Sequence, residues 1–252
     1  MPNLFQLFTD PISLLFIGIY LLLIAAERFF NSRRLTHIPF WWLKGMLSFL
    51  VYFIISSYIP LLIEPQMVKF RVMDLSTLSL GLQITIGLLG YELGAWLYHF
   101  SIHKNSFLWR TIHQMHHSAE RVDTFGAFFF SPMDMVGWTL LGSVVFAWLM
   151  GLSAQATTIA MLVTFILAVF QHSNIRTPRW IGYIIQRPES HTYHHARGIH
   201  RCNYSDLPIW DMLFGTFKNP KEFPQEAGFY DGASSRVPEM LSFKLVDQPK
   251  SN

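Results

Sequence analysis

The chain has 252 residues, of which 51% are hydrophobic and only 14% are charged, a balance typical of membrane proteins. Its net charge is +3, but the sequence has no basic patch interleaved with aromatic residues and no zinc-finger spacing of ligands. These features argue against nucleic-acid binding. The single cysteine, Cys202, excludes an internal disulfide, a thiolate zinc site and an iron–sulfur cluster.

Five apolar runs are candidates for membrane helices. They cover about residues 11–26, 41–63, 75–98, 133–150 and 154–170, and each is close to the roughly 20 residues that a helix needs to cross a bilayer. Only Gly151, Leu152 and Ser153 separate the last two runs, which predicts a helical hairpin. The predicted fold is an all-α, polytopic membrane helical bundle of about five membrane helices with a cytoplasmic histidine-rich helical cap.

Basic residues are distributed unevenly between the two ends of these runs. If the runs alternate in direction, all 19 Lys and Arg residues except Lys69 and Arg71 fall on one side. Cytoplasmic segments carry an excess of basic residues, so this side is predicted to be the cytoplasm, of either a bacterial inner membrane or the endoplasmic reticulum. The residues before the first run lack the Lys or Arg of a cleaved signal peptide, which predicts that this run remains in the membrane.

Eight of the 11 histidines form three clusters with spacings of three or four residues. Positions i, i+3 and i+4 share one face of a helix, so the rings of a cluster can point at a common metal ion. Without a cation, eight neighbouring imidazoles would leave many buried nitrogens without partners. We therefore interpret the clusters as metal ligands on the cytoplasmic side. The clusters are His99 and His103; His113, His116 and His117; and His191, His194 and His195.

Other residues near the clusters have predicted roles. His172 closes the fifth run at the same boundary and is a candidate ninth ligand. Glu92 lies seven residues before His99 on the same helix face; we expect it to accept a hydrogen bond from a ligand histidine, the alternative being a pair with a neighbouring helix. His37 and His200 are predicted to be structural.

The segment between the second cluster and the fourth run is aromatic. The residues from Phe125 to Phe130 could line an acyl-chain pocket, but we expect them to anchor the chain at the headgroup level. Residues 173–252 contain no long apolar run and should form a cap of short helices and turns that carries the third cluster onto the site. The final twenty or so residues are predicted to be a tail.

These motifs, taken together, resemble a known family. The chain resembles the fatty acid hydroxylase superfamily, which includes sterol desaturases, alkylglycerol monooxygenase and bacterial lipid hydroxylases. The resemblance lies in the order of the motifs HxxxH, HxxHH and HxxHH and in the segments LWRTIHQMHHS, QHS, PESHTYHH and WDMLFGTF. The resemblance covers about Glu92 to Phe217, and Phe100 stands where many members have Arg. It implies N-terminal membrane helices at 1–90, a catalytic domain with a membrane hairpin at 91–217 and a tail at 218–252.

The resemblance implies a dinuclear metal centre, functionally iron, that hydroxylates a lipid. The expected cofactors are two iron ions with O2 as co-substrate, and the expected partners are the membrane, a fatty acyl, sterol or other lipid substrate, and an external electron donor. An all-imidazole set of this size also suits two late first-row metals, since one ion cannot use all of its nitrogens. The residues that match the family's ligand positions are His99, His103, His113, His116, His117, His172, His191, His194 and His195.

Two alternatives to lipid hydroxylation remain open. A desaturase could use the same site, and a membrane metal-binding or transport protein could use the same histidines. Transport sites usually lie near the bilayer midplane, whereas these clusters lie outside the apolar runs, which favours the enzyme.

The electrons are expected from a separate protein, because the chain has no dinucleotide-binding glycine motif and no cysteine cluster. A ferredoxin or a b-type cytochrome with its reductase would be attracted to a basic face beside the third cluster. Anionic headgroups are the alternative ligands of that face. The arginines expected to form it are Arg176, Arg179, Arg187, Arg197 and Arg201.

Overall fold

The computed structural model describes residues 1–249, and the last three residues of the predicted tail lie outside it. Within residues 1–249 the secondary structure is helical and contains no β-strand. The α-helices are α1 (Leu4–Thr9), α2 (Pro11–Phe30), α3 (Trp41–Met67), α4 (Leu80–Lys104), α5 (Ser106–Leu108), α6 (Gln114–His117), α7 (Pro132–Gly142), α8 (Ala154–His172), α9 (Pro188–His194), α10 (Ile209–Leu213) and α11 (Val237–Leu241).

Five helices are long and apolar enough to cross a membrane, which confirms the predicted all-α membrane bundle. They are α2, α3 with its 3-10 extension to Phe70, α4, α7 with its π-helical extension Ser143–Leu149, and α8. Residues Leu75–Thr77, predicted at the start of the third run, form a separate 3-10 turn capped by Asp74. Helix α4 continues to Lys104 and therefore carries both His99 and His103.

Side-chain caps and one glycine set where these helices begin and end. Ser131 accepts a hydrogen bond from the backbone N–H of Asp134 at the start of α7, and Ser153 caps α8 in the same way. In the turn before α8, Gly151 has φ of +57°, and a Cβ there would lie 2.4 Å from the carbonyl oxygen of Met73. The tight turn predicted between the fourth and fifth runs is therefore present and requires glycine, but α7 packs mainly against α3 and α8 mainly against α4, so the two helices do not form a closely packed hairpin.

The aromatic segment between Phe125 and Phe130 lies inside the protein. Phe128 and Phe129 are 4% and 2% exposed. A Cβ on Gly45 of α3 would lie 2.3 Å from the carbonyl oxygen of Phe125, so the segment packs directly against that helix. The expectation that these aromatics anchor the chain at the headgroup level is wrong.

The end of the chain packs against the helix that carries the second histidine cluster. Met240 and Val246 are buried in one hydrophobic cluster with Met115. The side chain of Gln114 donates to the carbonyl of Lys244 at 2.8 Å and accepts from the backbone N–H of Val246 at 3.1 Å. The segment expected to be a tail thus supports the histidine site through residues 240–246.

Candidate metal centre

All nine histidines predicted as ligands lie together at one end of the bundle, in two groups. In each group, one ring nitrogen from every histidine lies within 4.8 Å of the others. His172, the isolated candidate, is part of the second group, and His37 belongs to neither. The five-histidine group contains His99, His103, His113, His117 and His194; the four-histidine group contains His116, His172, His191 and His195.

Each HxxHH motif supplies both groups. Consecutive residues on a helix point about 100° apart, so His116 and His117 on α6 face different groups. His194 and His195, at the end of α9, separate in the same way. His113 lies at the end of a π-helical turn, a helix type that often occurs at functional sites. The two motifs therefore tie the groups into one site.

In the five-histidine group, every Nδ1 atom has a hydrogen-bonding partner within the protein, so the Nε2 atoms are left for the centre of the group. Three partners are backbone carbonyls, one is a carboxylate and one is another imidazole. The pairs are His99 with Tyr204 O (3.0 Å), His103 with His200 O (2.9 Å), His194 with Cys202 O (2.6 Å), His113 with Asp134 Oδ2 (2.6 Å), and His117 with His200 Nδ1 (3.0 Å).

The three carbonyls come from one strained loop. His200, Cys202 and Asn203 have φ values of +40°, +68° and +52°, a region that residues other than glycine rarely adopt. The buried side chain of Asn203 holds the loop by donating to the carbonyls of Ser190 and Lys218 at 3.0 and 2.9 Å. The strain is thus located where the backbone orients the candidate ligands.

These contacts direct the Nε2 atoms of two histidines toward each other and fit a cation between them. A carbonyl oxygen only accepts, so His99 Nδ1 carries the proton and its Nε2 holds a lone pair. The carboxylate of Asp134 accepts from His113 Nδ1 in the same way. Yet the two Nε2 atoms lie 3.0 Å apart. If both imidazoles are neutral, two lone pairs face each other at this distance and a metal ion between them removes the repulsion, so a metal ion fits the five-histidine group.

The four-histidine group converges in a similar way but has fewer supporting contacts. His172 donates from Nδ1 to the carbonyl of Ala168, and its Nε2 lies 3.1 Å from that of His116 and 2.9 Å from that of His191. The Nδ1 atoms of His116, His191 and His195 are buried without a hydrogen-bond partner in the described residues. The protein therefore orients the rings of this group less firmly than those of the first.

Burial favours the neutral form of three of these histidines. Desolvation lowers the pKa of His117, His194 and His195 well below the ordinary value, and the nearby imidazoles lower it further. Neutral imidazole is the form that binds a metal ion. These three candidate ligands are thus in the metal-binding form at neutral pH.

The predicted contact of Glu92 is wrong. Glu92 accepts from the backbone N–H groups of Asp206 and Leu207, at 2.7 and 3.1 Å, and not from a ligand histidine. Asp134, which the sequence analysis did not single out, provides the carboxylate instead. His200 belongs to neither histidine group, as predicted, and its carbonyl and its ring each contact a candidate ligand.

A cavity of about 280 Å³ connects the two groups with the interior of the bundle. Its lining on α8 extends from Thr158 to His172, which corresponds to roughly 21 Å at 1.5 Å per residue. Aromatic rings, among them Phe128 and Phe130, form much of its wall. The alternative interpretation of the aromatic segment, a pocket lining, is therefore the one that the structure supports. The histidines that border the cavity are His99, His113, His116, His172 and His191.

The arginines expected to form a docking face are not equivalent. Arg187 is 1% exposed and forms a buried ion pair with Glu189 at 2.9 Å, so it cannot contact a partner. Arg176 and Arg197 form ion pairs with surface carboxylates, which reduces the positive potential there. The predicted basic face is therefore weaker than five free arginines would make it.

Comparison with known proteins agrees with this geometry. The family described as fatty acid hydroxylase matches residues 84–216. The chain is also similar to the ornithine lipid hydroxylase OlsE of Rhizobium tropici, with 31% identity over 143 residues, which is 55% of this chain and 42% of that relative. The alignment thus spans less than half the length of the relative. No solved structure gives a significant match.

Proposed function

Because the matched region covers more than half of its length, the chain belongs to the fatty acid hydroxylase family, and we propose that it is a membrane lipid hydroxylase that uses two iron ions and O2. The observation that carries this proposal is the opening of both histidine groups onto one largely apolar cavity. A lipid chain in the cavity would lie directly beside the metal ligands.

The number of histidines supports two ions, one in each group. Nine imidazoles exceed what one ion can coordinate, and they are already divided into five and four. Zinc has no redox chemistry, and a zinc hydrolase needs only about three protein ligands. When bound, two iron ions would supply the redox chemistry that transfers an oxygen atom from O2 into a C–H bond.

The protein's own residues would prepare the site in two ways. The carbonyls of the strained loop and the carboxylate of Asp134 hold the Nδ1 protons, which directs the Nε2 lone pairs inward. The phenyl rings of Phe49, Phe128 and Phe165 pack together beside the cavity, and this apolar wall would hold an acyl chain and exclude water.

Lipid desaturation remains the alternative reaction, since removal of a second hydrogen competes with delivery of the hydroxyl group. The relative is named as a hydroxylase, which favours hydroxylation, but the partial alignment does not transfer its substrate. A metal transporter is less well supported, because the histidine groups lie at one end of the bundle and involve the ends of α4 and α8.

We further propose that the histidine site faces the cytoplasm, on the distribution of basic residues described above. The catalytic domain would comprise residues 91–217, close to the matched family region. Electrons would come from a ferredoxin or a b-type cytochrome. The docking face for this donor would include Arg179 and Arg201, but not the buried Arg187.

Lipid mass spectrometry tests the function. Cells with and without the gene are grown under 18O2, and lipids from cells that express His116→Ala or His37→Ala are compared with them. Hydroxylation predicts a gene-dependent lipid with one labelled oxygen, absent for His116→Ala and retained for His37→Ala. A species that lacks two hydrogens would indicate desaturation, and no gene-dependent lipid change at all would contradict an enzyme acting on lipids.

A further inference from the structure

A polar corner of the cavity lies beside the histidines and is not explained by metal binding. It is formed by Gln171, Gln186 and Asp206, which all line the cavity. Gln171 and Gln186 are only 5% and 3% exposed, whereas Asp206 is partly accessible. Glu92, which is fully buried, contacts the backbone of the same segment. This corner contrasts with the phenyl rings that line the rest of the cavity.

Each glutamine of this corner donates one hydrogen bond, whereas its amide oxygen accepts none from the described residues. Gln171 Nε2 donates to Asp206 Oδ1 at 2.6 Å, and Gln186 Nε2 donates to the carbonyl of Asn203 at 2.8 Å. The Oε1 atoms of both glutamines are buried and have no partner within residues 1–249, and Oε1 of Glu92 is in the same condition. Buried polar atoms without partners are costly, so a donor-bearing ligand would stabilise this corner.

The corner also contains two carboxyl groups without a basic partner. None of the ion pairs formed within residues 1–249 involves Glu92 or Asp206. The two carboxyl groups repel one another electrostatically. Burial raises the pKa of Asp206 to about 7, which reflects the cost of holding its charge in this position. A cation that entered the cavity would relieve this cost.

We propose that Gln171, Gln186 and Asp206 form a headgroup subsite that binds the primary ammonium group of an amine-bearing lipid. An ammonium group has three N–H donors and one positive charge, which matches two amide oxygens and one carboxylate. The acyl chain would then extend along α8 toward Thr158, between the phenyl rings. The subsite rests on the proposed lipid hydroxylation, and it would place carbons close to the headgroup beside the histidines.

The test compares two lipids that differ only in the charge of the headgroup. Full-length, metal-loaded protein in detergent is titrated with N-oleoyl-1,3-diaminopropane, which ends in an ammonium group, and with its N-acetyl derivative, which is neutral. Native mass spectrometry measures the two dissociation constants. Roughly tenfold or greater preference for the ammonium lipid is expected, as for hydrogen bonds to a charged group.

Variants then assign the preference to the subsite. Asp206→Asn removes the charge at nearly constant shape and should bring the affinity ratio of the two lipids close to one. Asp247→Asn makes the same change at an exposed position and should keep the wild-type ratio. If Asp206→Asn does not fold, the wild-type comparison still decides: equal affinity for both lipids overturns the subsite.

The outcomes separate this inference from the proposed function. Equal binding, together with a gene-dependent oxygenated lipid in cells, would refute only the ammonium subsite. A preference that survives in Asp206→Asn would also refute the assignment to this corner. If no gene-dependent lipid change is found in cells, lipid hydroxylation fails, and the subsite fails as part of a substrate site.

Discussion

Replacement of Asp134 by Asn should weaken metal binding in the five-histidine group. Asp134 Oδ2 accepts from His113 Nδ1 at 2.6 Å, and the two side chains are 0% and 1% exposed. No solvent can take over this contact. An asparagine oxygen can still accept the hydrogen bond, so the ring keeps its orientation, but the negative charge that makes the imidazole a stronger ligand is lost.

The expected loss is 10- to 100-fold in metal affinity, the usual effect of removing such a supporting carboxylate. This corresponds to about 1.4–2.7 kcal/mol. The assay titrates metal-loaded protein with a chelator and measures the metal retained per chain. One of the two ions should leave at a lower chelator concentration in Asp134→Asn, while the other should be retained as in wild type.

Glu92→Gln is the matched comparison, because Glu92 is also fully buried but contacts backbone N–H groups and not a histidine. Its chelator curve should resemble that of wild type. If Asp134→Asn gave the wild-type curve, or if both substitutions weakened binding equally, the assignment of Asp134 as the supporting carboxylate would be wrong.

Three further predictions concern the cavity, the pH dependence and the topology. Ala168→Phe narrows the cavity beside the histidines and should lower lipid turnover at least about tenfold while the metal content stays constant; loss of metal in this variant would instead indicate a disturbed ligand set. The free energy of unfolding of metal-free protein should fall as the pH falls below about 6.5, since the unfolded chain then binds protons that His117, His194 and His195 do not bind when folded. Each of these histidines contributes up to about 1.4 kcal/mol per pH unit, and denaturant titrations at pH 7.5 and 5.5 that gave equal stability would contradict their buried, neutral state. A reporter fused after Asn252 should be active in the cytoplasm, and activity on the opposite side would overturn the proposed orientation.

The histidines could be predicted because their signal is local. Spacings of three and four residues report a shared helix face, and eight such residues do not fit an ordinary core. The sequence could not show that each HxxHH motif is divided between two groups. That division depends on how α4, α6, α8 and α9 meet in space.

The supporting residues were harder to predict because they are distant in sequence or belong to the backbone. Asp134 lies 21 residues after its partner His113 and begins another helix. Backbone carbonyls such as those of residues 200, 202 and 204 are present in every residue, so the sequence does not show which of them contact the histidines. Glu92 shows the opposite error, because a predicted contact is absent. It lies on the expected helix face, but its carboxylate accepts a hydrogen bond from the backbone N–H of Asp206 and not from a histidine.

The burial of the aromatic segment also required the three-dimensional structure. Phenylalanines near a membrane boundary are compatible with lipid contact or with a pocket wall. Here the missing side chain of Gly45 allows the backbone at Phe125 to approach α3, which brings Phe128 and Phe130 to the cavity. Only the pairing of these two distant segments decides between the alternatives.

Elemental analysis of protein purified without chelator tests the metal centre most directly. Wild type should contain two iron ions per chain, because five and four imidazoles converge on two centres. His194→Ala, in the five-histidine group, and His191→Ala, in the four-histidine group, should each lose about one ion and all turnover. Active wild-type enzyme with one metal ion or none, or full activity in either variant, would contradict a two-metal site.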